Sequence, residues 1–156
     1  MTDKPLVYID ASVFVRVLKR EAGFEICLAV LEAAERKDIE VLASRLLSVE
    51  IGSMKAQNEN TREDTDRLAE RFLEAVGAHW VELDLMVARE ARRVSWEYNL
   101  RTLDSVHLAT AIYRKATHFM TVDTDFPIGK TADGVWVSLP EIVWDPTLLD
   151  GETHRD

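Results

Sequence analysis

Short apolar runs alternate with longer segments of helical periodicity along this chain, and that alternation most restricts its fold. The runs lie at residues 5–10 ("PLVYID"), 39–44 ("IEVLAS"), 79–84 ("HWVELD"), 117–123 ("THFMTVD") and 134–139 ("GVWVSL"). Rich in β-branched and aromatic residues and only six or seven long, they read as strands buried on both faces. Between them the spacing predicts helices over residues 12–21, with Ser12 as N-cap, then 24–38, 45–60, 61–76, 84–98 and 100–112. The pair at 45–60 and 61–76 is expected to form a hairpin, and residues 123–134 read as a turn-rich crossing. Strands separated by helices build a parallel sheet with helices on both faces. The expected fold class is therefore α/β, a central parallel sheet of about five strands. It is expected as a single domain over residues 1–145, followed by a tail, 146–156, that carries little periodicity and should fray.

The 156 residues carry 19 basic and 28 acidic side chains, a formal net charge of −9. That balance argues against a protein that coats nucleic acid by bulk attraction, so any such contact must be local. The densest basic cluster is Arg89, Arg92, Arg93 and Arg101, which reads either as a solvated helix face or as a local RNA contact. Trp80, Trp96, Trp136 and Trp144 could stack on bases, although core packing is the commoner use of tryptophan. Cys27 is the single cysteine, which excludes an internal disulfide and suits a small core residue. No apolar run approaches the length of a membrane span and the N-terminal segment lacks a secretory pattern, so a cytoplasmic location without membrane contact is expected.

Four acids stand where they could share one pocket, although a strand-end Asp is often a turn or cap residue and a helical Glu is usually solvated. Asp10 and Asp123 close the first and fourth apolar runs, at the strand ends where open parallel sheets gather their ligands. Glu50 and Asp104 each interrupt an apolar helical pattern. A carboxylate on such a face is expensive unless it is neutralised, paired or bound to a cation. Gathered in one pocket, the four would repel one another and bind protons. Hard divalent ions with oxygen ligands relieve that repulsion, which points to Mg²⁺ or Mn²⁺. Two such ions would balance four carboxylates and suit phosphodiester hydrolysis, one activating water and one stabilising the leaving oxygen. Glu59 and Glu63 fall in polar surroundings and are poorer candidates, and His107 reads as a hydrogen-bonded packing residue rather than a catalytic one.

The stretches "YIDASVF", "LLSVEIGS", "LRTLDSVHLATA" and "FMTVDTDF" resemble, in order, the four motifs of PIN-domain ribonucleases. The third is especially similar to the VapC toxins of toxin–antitoxin pairs, and the resemblance spans residues 5 to about 140. It implies a Mg²⁺- or Mn²⁺-dependent endoribonuclease that leaves a 5′-phosphate and a 3′-hydroxyl. Its acids would be Asp10, Glu50, Asp104 and Asp123, with Asp125 either assisting the metal site or capping its loop. Ser12 and Thr121 match family hydroxyls that orient a carboxylate or a bound water. The resemblance further implies RNA as substrate, a homodimer, and a cognate VapB-type antitoxin whose basic side chain reaches the acids. A housekeeping PIN nuclease without an antitoxin, and a binding module that has kept the fold without the activity, are the alternative functions.

Overall fold

A computed structural model of the chain describes residues 4–52 and 62–145. Its elements run β1 (Leu6–Ile9), α1 (Ala11–Leu18), α2 (Phe24–Glu35), β2 (Glu40–Ser44), α3 (Arg45–Gly52), α4 (Arg62–Val76), β3 (His79–Val81), α5 (Leu85–Glu97), α6 (Thr102–Tyr113), β4 (His118–Met120), β5 (Lys130–Ala132) and β6 (Val135–Ser138). Strand and helix alternate as the apolar pattern requires. The later part of the helix expected over 45–60, the candidate Glu59 and the tail 146–156 lie outside the described residues.

The six strands form one sheet in the order β3-β2-β1-β4-β6-β5. Every pairing is parallel except that of β5 with β6. The fifth strand in chain order lies within the stretch read as a turn-rich crossing. Its hairpin turns on Asp133 and Gly134, at φ 46° and 89°, between the paired residues Ala132 and Val135. A two-residue loop with both central residues at positive φ matches the twist of the flanking strands, and Asp-Gly is the pair that adopts it most readily. The three-residue strand before it, "KTA", has too little apolar character to show in the sequence pattern.

The strands divide their side chains between two cores. Val7, Ile9, Val41, Ala43 and Met120 belong to one cluster, with Phe14 and Val17 of α1, Val30 and Leu31 of α2, Leu47 of α3 and Leu73 of α4. Tyr8, Leu42, Phe119 and Val137 belong to the other, with Val87 and Val94 of α5 and Leu108 and Ala111 of α6. This period of two, with both faces covered, explains why β1 reads as an unbroken apolar run. Cys27 is wholly buried in the first cluster. Among the described residues no helix is long and apolar enough to cross a membrane.

One contact ties the extra hairpin to the helices. Arg93 of α5 reaches Asp133 at 2.9 Å while also engaging Glu90 and Glu97, and the Tyr98 hydroxyl donates to Asp133 at 3.0 Å. The guanidinium beside it holds the Asp133 carboxyl below its usual range. Because a Cβ on Gly134 would meet nothing within 4 Å, a side chain there strains only the backbone. Gly134→Val should lower stability by about 1–2 kcal/mol in urea unfolding, the cost of holding a β-branched residue in the left-handed region; an unchanged midpoint would contradict this account of the turn.

Candidate metal centre

β1 is the point at which the sheet's order reverses, with β2 on one side and β4 on the other. A crevice opens beyond the strand ends at such a point. Asp10 follows β1 directly, and its backbone N–H donates to the Met120 carbonyl at the end of β4 at 3.0 Å. The extended backbone of Asp10, φ −69° and ψ 152°, makes it the N-cap of α1. This corrects the expectation for Ser12, which lies inside the first helical turn. The carboxylate of Asp10 can reach back to a free N–H of that turn, which Ser12 itself supplies.

The hydroxyls around Asp10 hold it in one orientation. Its Oδ2 accepts from Ser12 Oγ at 2.7 Å and from Thr121 Oγ1 at 3.0 Å, with the Ser12 N–H at 3.4 Å. Ser12 Oγ in turn accepts from the Val122 N–H at 3.1 Å, and Thr121 Oγ1 from the Asp123 N–H at 3.0 Å. Loop, strand end and helix start are thereby tied into one network. Among the described residues every hydrogen bond to the Asp10 side chain falls on Oδ2, although the residue is only 4% exposed.

Asp123 lies three residues beyond β4, and its Oδ1 accepts from the Asp125 N–H at 3.0 Å. That bond turns the chain so that Asp125 comes back beside it. Asp104, in the first turn of α6, faces the same place. Each of Asp104, Asp123 and Asp125 offers a carboxylate oxygen, and the three atoms lie within 4.8 Å of one another. Burial, then the charges of Asp123 and Asp10, push the Asp104 carboxyl up to about 6, with His107 opposing and Asp125 adding to the rise. An all-oxygen donor set at this spacing fits Mg²⁺ or Mn²⁺ better than softer ions.

Glu50 approaches from α3 through a different contact. Its Oε1 lies 2.5 Å from Nε2 of His107, a residue 1% exposed on α6. On the other side of the imidazole, Nδ1 bonds the Tyr8 hydroxyl, which also accepts from the Ser44 N–H at 3.2 Å. Burial pulls the His107 pKa down, but the bond to Glu50 and the charges of Asp10, Glu50 and Asp104 hold it above its ordinary value overall. Tyr8 is buried in the sheet and its pKa stands well above the usual phenol value for that reason. The compact trio therefore comprises Asp104, Asp123 and Asp125, with Asp10 in electrostatic reach of Asp104 and Glu50 joined to the group through His107. His107 bridges a strand tyrosine and a helix acid, a link that no local pattern reports because Tyr8 and His107 are 99 positions apart.

The remaining candidates are dispersed. Arg89, Arg92 and Arg101 are exposed, while Arg93 is engaged by Glu90, Glu97 and Asp133. Glu63 is exposed on α4. Trp96 is 86% exposed, Trp80 lies half-buried under the Arg45 guanidinium, Trp136 donates to Glu141, and Trp144 packs against the first core.

Residues 7–129 match the PIN domain family. Ribonuclease VapC45 of Mycobacterium tuberculosis (strain CDC 1551 / Oshkosh) is 34% identical over 113 residues, which span 69% of this chain and 76% of that protein. Among solved structures, a toxin–antitoxin complex from Klebsiella pneumoniae superposes with a TM-score of 0.65 at 17% identity, covering 88% of this chain and 99% of its own. VapBC2 from Rickettsia felis, bound to a DNA fragment from its promoter, gives 0.63 at 12% identity over 90% and 99%. These two distant structures bear on the fold alone.

The raised Asp104 pKa has a thermodynamic consequence. Its folded value, about 6, lies above the ordinary 3.8, so this group's contribution to stability is complete below the ordinary value and is lost as pH rises through about 6. Neutralising it should relieve the repulsion in metal-free protein. Asp104→Asn is expected to raise the melting temperature at neutral pH by about 2–4 °C, corresponding to about 1 kcal/mol for a side chain partly screened by water. The gain in melting temperature on adding Mn²⁺ should shrink in the same variant. A metal-free Asp104→Asn that melts below the parent would contradict the repulsion.

Proposed function

The chain belongs to the PIN-domain family as a VapC-type member, and from that premise we propose that it is a Mg²⁺- or Mn²⁺-dependent endoribonuclease, the toxin of a type II toxin–antitoxin pair. The observation that carries the reading is the meeting of Asp104, Asp123 and Asp125 within 4.8 Å beside a buried, hydroxyl-bound Asp10. In this reading Asp10, Glu50, Asp104 and Asp123 hold the metal, with Asp125 as a further ligand. Bound divalent ions supply Lewis-acid stabilisation of the charge that develops as water displaces the 3′-oxygen of a phosphodiester.

The chain's own residues prepare the site for that step. Ser12 and Thr121 occupy Oδ2 of Asp10, which leaves Oδ1 as the oxygen turned to a ligand and fixes its direction before anything binds. The Asp123 and Asp125 backbone bonds do the same for the loop after β4. Preorganised in this way, the acids need little rearrangement to receive cations and, through them, an anionic backbone. Within the basic cluster of α5 and the residue before α6, Arg89, Arg92 and Arg101 are exposed and would offer RNA a local contact on a chain whose net charge is −9.

A cognate VapB-type antitoxin would inhibit most directly by placing an arginine among the acids, where bidentate bonds take the place of the cations. A homodimer and a cytoplasmic setting complete the proposal.

The test is cleavage of RNA by purified protein with millimolar Mn²⁺. Asp10→Asn should lower the rate by about a hundredfold or more, since a direct ligand matters at least as much as the outer residues whose loss typically costs 10–100-fold. The products of the parent should carry 5′-phosphates. RNA cutting by Asp10→Asn at the parental rate, or cleavage that persists in chelator, would overturn the assignment.

A further inference from the structure

We propose that Tyr8 and His107 are positioning residues that act through Glu50, the phenol fixing which imidazole nitrogen carries the proton and the imidazole fixing the direction of the Glu50 carboxylate. The proposal rests on the reading of Glu50 as a metal-facing acid.

The hydrogen-bond directions follow from counting donors. The Ser44 N–H can only donate, so it takes a lone pair of the Tyr8 oxygen. The phenol proton is then directed to its other neighbour, Nδ1 of His107. A neutral imidazole that accepts at Nδ1 carries its proton on Nε2, and Nε2 faces Oε1 of Glu50 at 2.5 Å. With the imidazole neutral, the chain runs Ser44 N–H to Tyr8 O–H to His107 Nε2–H to Glu50, with every donor matched. A proton on Nδ1 instead would leave the phenol proton without an acceptor among the described residues and turn a bare Nε2 lone pair toward a carboxylate.

Packing makes the arrangement rigid. The Tyr8 ring stacks on Phe119 with centroids 5.1 Å apart and planes 6° from parallel, and meets the imidazole edge-on at 5.7 Å and 63°. Phe119 is held in turn by Phe126 at 4.8 Å. Tyr8 and His107 are 0% and 1% exposed, so no water competes for these bonds, whereas the Glu50 side chain retains 27% exposure. One buried end and one open end are what a device for orienting a ligand requires. Occupying Oε1 also directs the remaining oxygen, Oε2, to whatever Glu50 binds.

The test uses the full chain and Mn²⁺ as probe. In ¹⁵N-histidine NMR at alkaline pH, where the imidazole is neutral, His107 should show the Nε2–H tautomer. That wild-type measurement stands however any variant folds, and an Nδ1–H tautomer would overturn the proposal. Tyr8→Phe keeps both ring contacts and removes only the hydroxyl. It should give mixed tautomers and weaken Mn²⁺ binding in calorimetry about tenfold, within the range typical of residues behind a metal ligand. Cleavage at saturating Mn²⁺ should then recover to near the parental rate. Because Tyr8 acts through Glu50, Tyr8→Phe combined with Glu50→Gln should bind Mn²⁺ no more weakly than Glu50→Gln alone; additive losses would overturn the proposal. Unchanged Mn²⁺ affinity in Glu50→Gln would remove the reading of Glu50 and this proposal with it. Weakened affinity in Glu50→Gln beside an unaltered one in Tyr8→Phe would overturn the proposal alone.

Discussion

Mutual repulsion among carboxylates at the ends of β1 and β4 is the constraint that the rest of this molecule accommodates. Left to themselves, Asp10, Asp104, Asp123 and Asp125 would separate, because like charges gathered in a partly buried site repel one another, and that repulsion adds to burial in pushing the Asp104 carboxyl up to about 6. They stay together because each is attached to a part of the chain that cannot move independently. Asp10 caps α1 and lies beside the end of β4, Asp104 rides on the first turn of α6, and the Asp123–Asp125 turn follows β4. Separating the acids would mean unseating the two cores that clamp the sheet from both sides. Core packing thus sustains an unfavourable local charge distribution, which a proton on Asp104 relieves and a bound cation would relieve further.

The topology explains why these four positions rather than others carry the acids. Chain segments distant in sequence come closest together where β1 and β4 lie side by side, since residues 10 and 121 are in direct contact there. Adjacent parallel strands present their C-terminal ends to the same crevice, so two loops and two helix starts converge without any long excursion of the backbone. Ser12 and Thr121 are the small residues whose hydroxyls fit between those loops. Their exchange of bonds with Asp10 links the α1 start to the β4 exit, making the site a single unit.

Period and chemistry made much of this legible before any coordinates. The runs around Leu6, Val41, Trp80, Phe119 and Val137 lie at strands because a sheet buried on both faces needs unbroken apolar segments, and local composition reports that directly. Glu50 and Asp104 stood out because an acid in an apolar helical pattern is costly, and Asp10 and Asp123 because they close apolar runs at the strand ends where parallel sheets gather ligands. Three features were hidden. Strand β5 depends on an Asp-Gly turn and a tether from Arg93, not on its own three residues, so its sequence reads as loop. The helix cap moved from Ser12 to Asp10 because both are good capping residues and the choice depends on where β1 releases the chain.

The other hidden feature is more instructive. Tyr8 looks like a core aromatic and His107 like a packing histidine, and by burial both are. Neither residue alone signals anything, because their significance lies in a hydrogen-bond chain spanning β1, β2, α6 and α3. A buried phenol between two sheet faces would be costly with its hydroxyl unmet, and an apolar ring would fill the same volume without that cost. Phenylalanine would satisfy the stacking on Phe119 equally well. The hydroxyl therefore requires an explanation beyond packing, and the acid at the far end of its hydrogen-bond chain is Glu50. Polar groups are admitted to this core where they connect it to the charged crevice, and it is through them that the interior specifies the geometry of the acids at its rim.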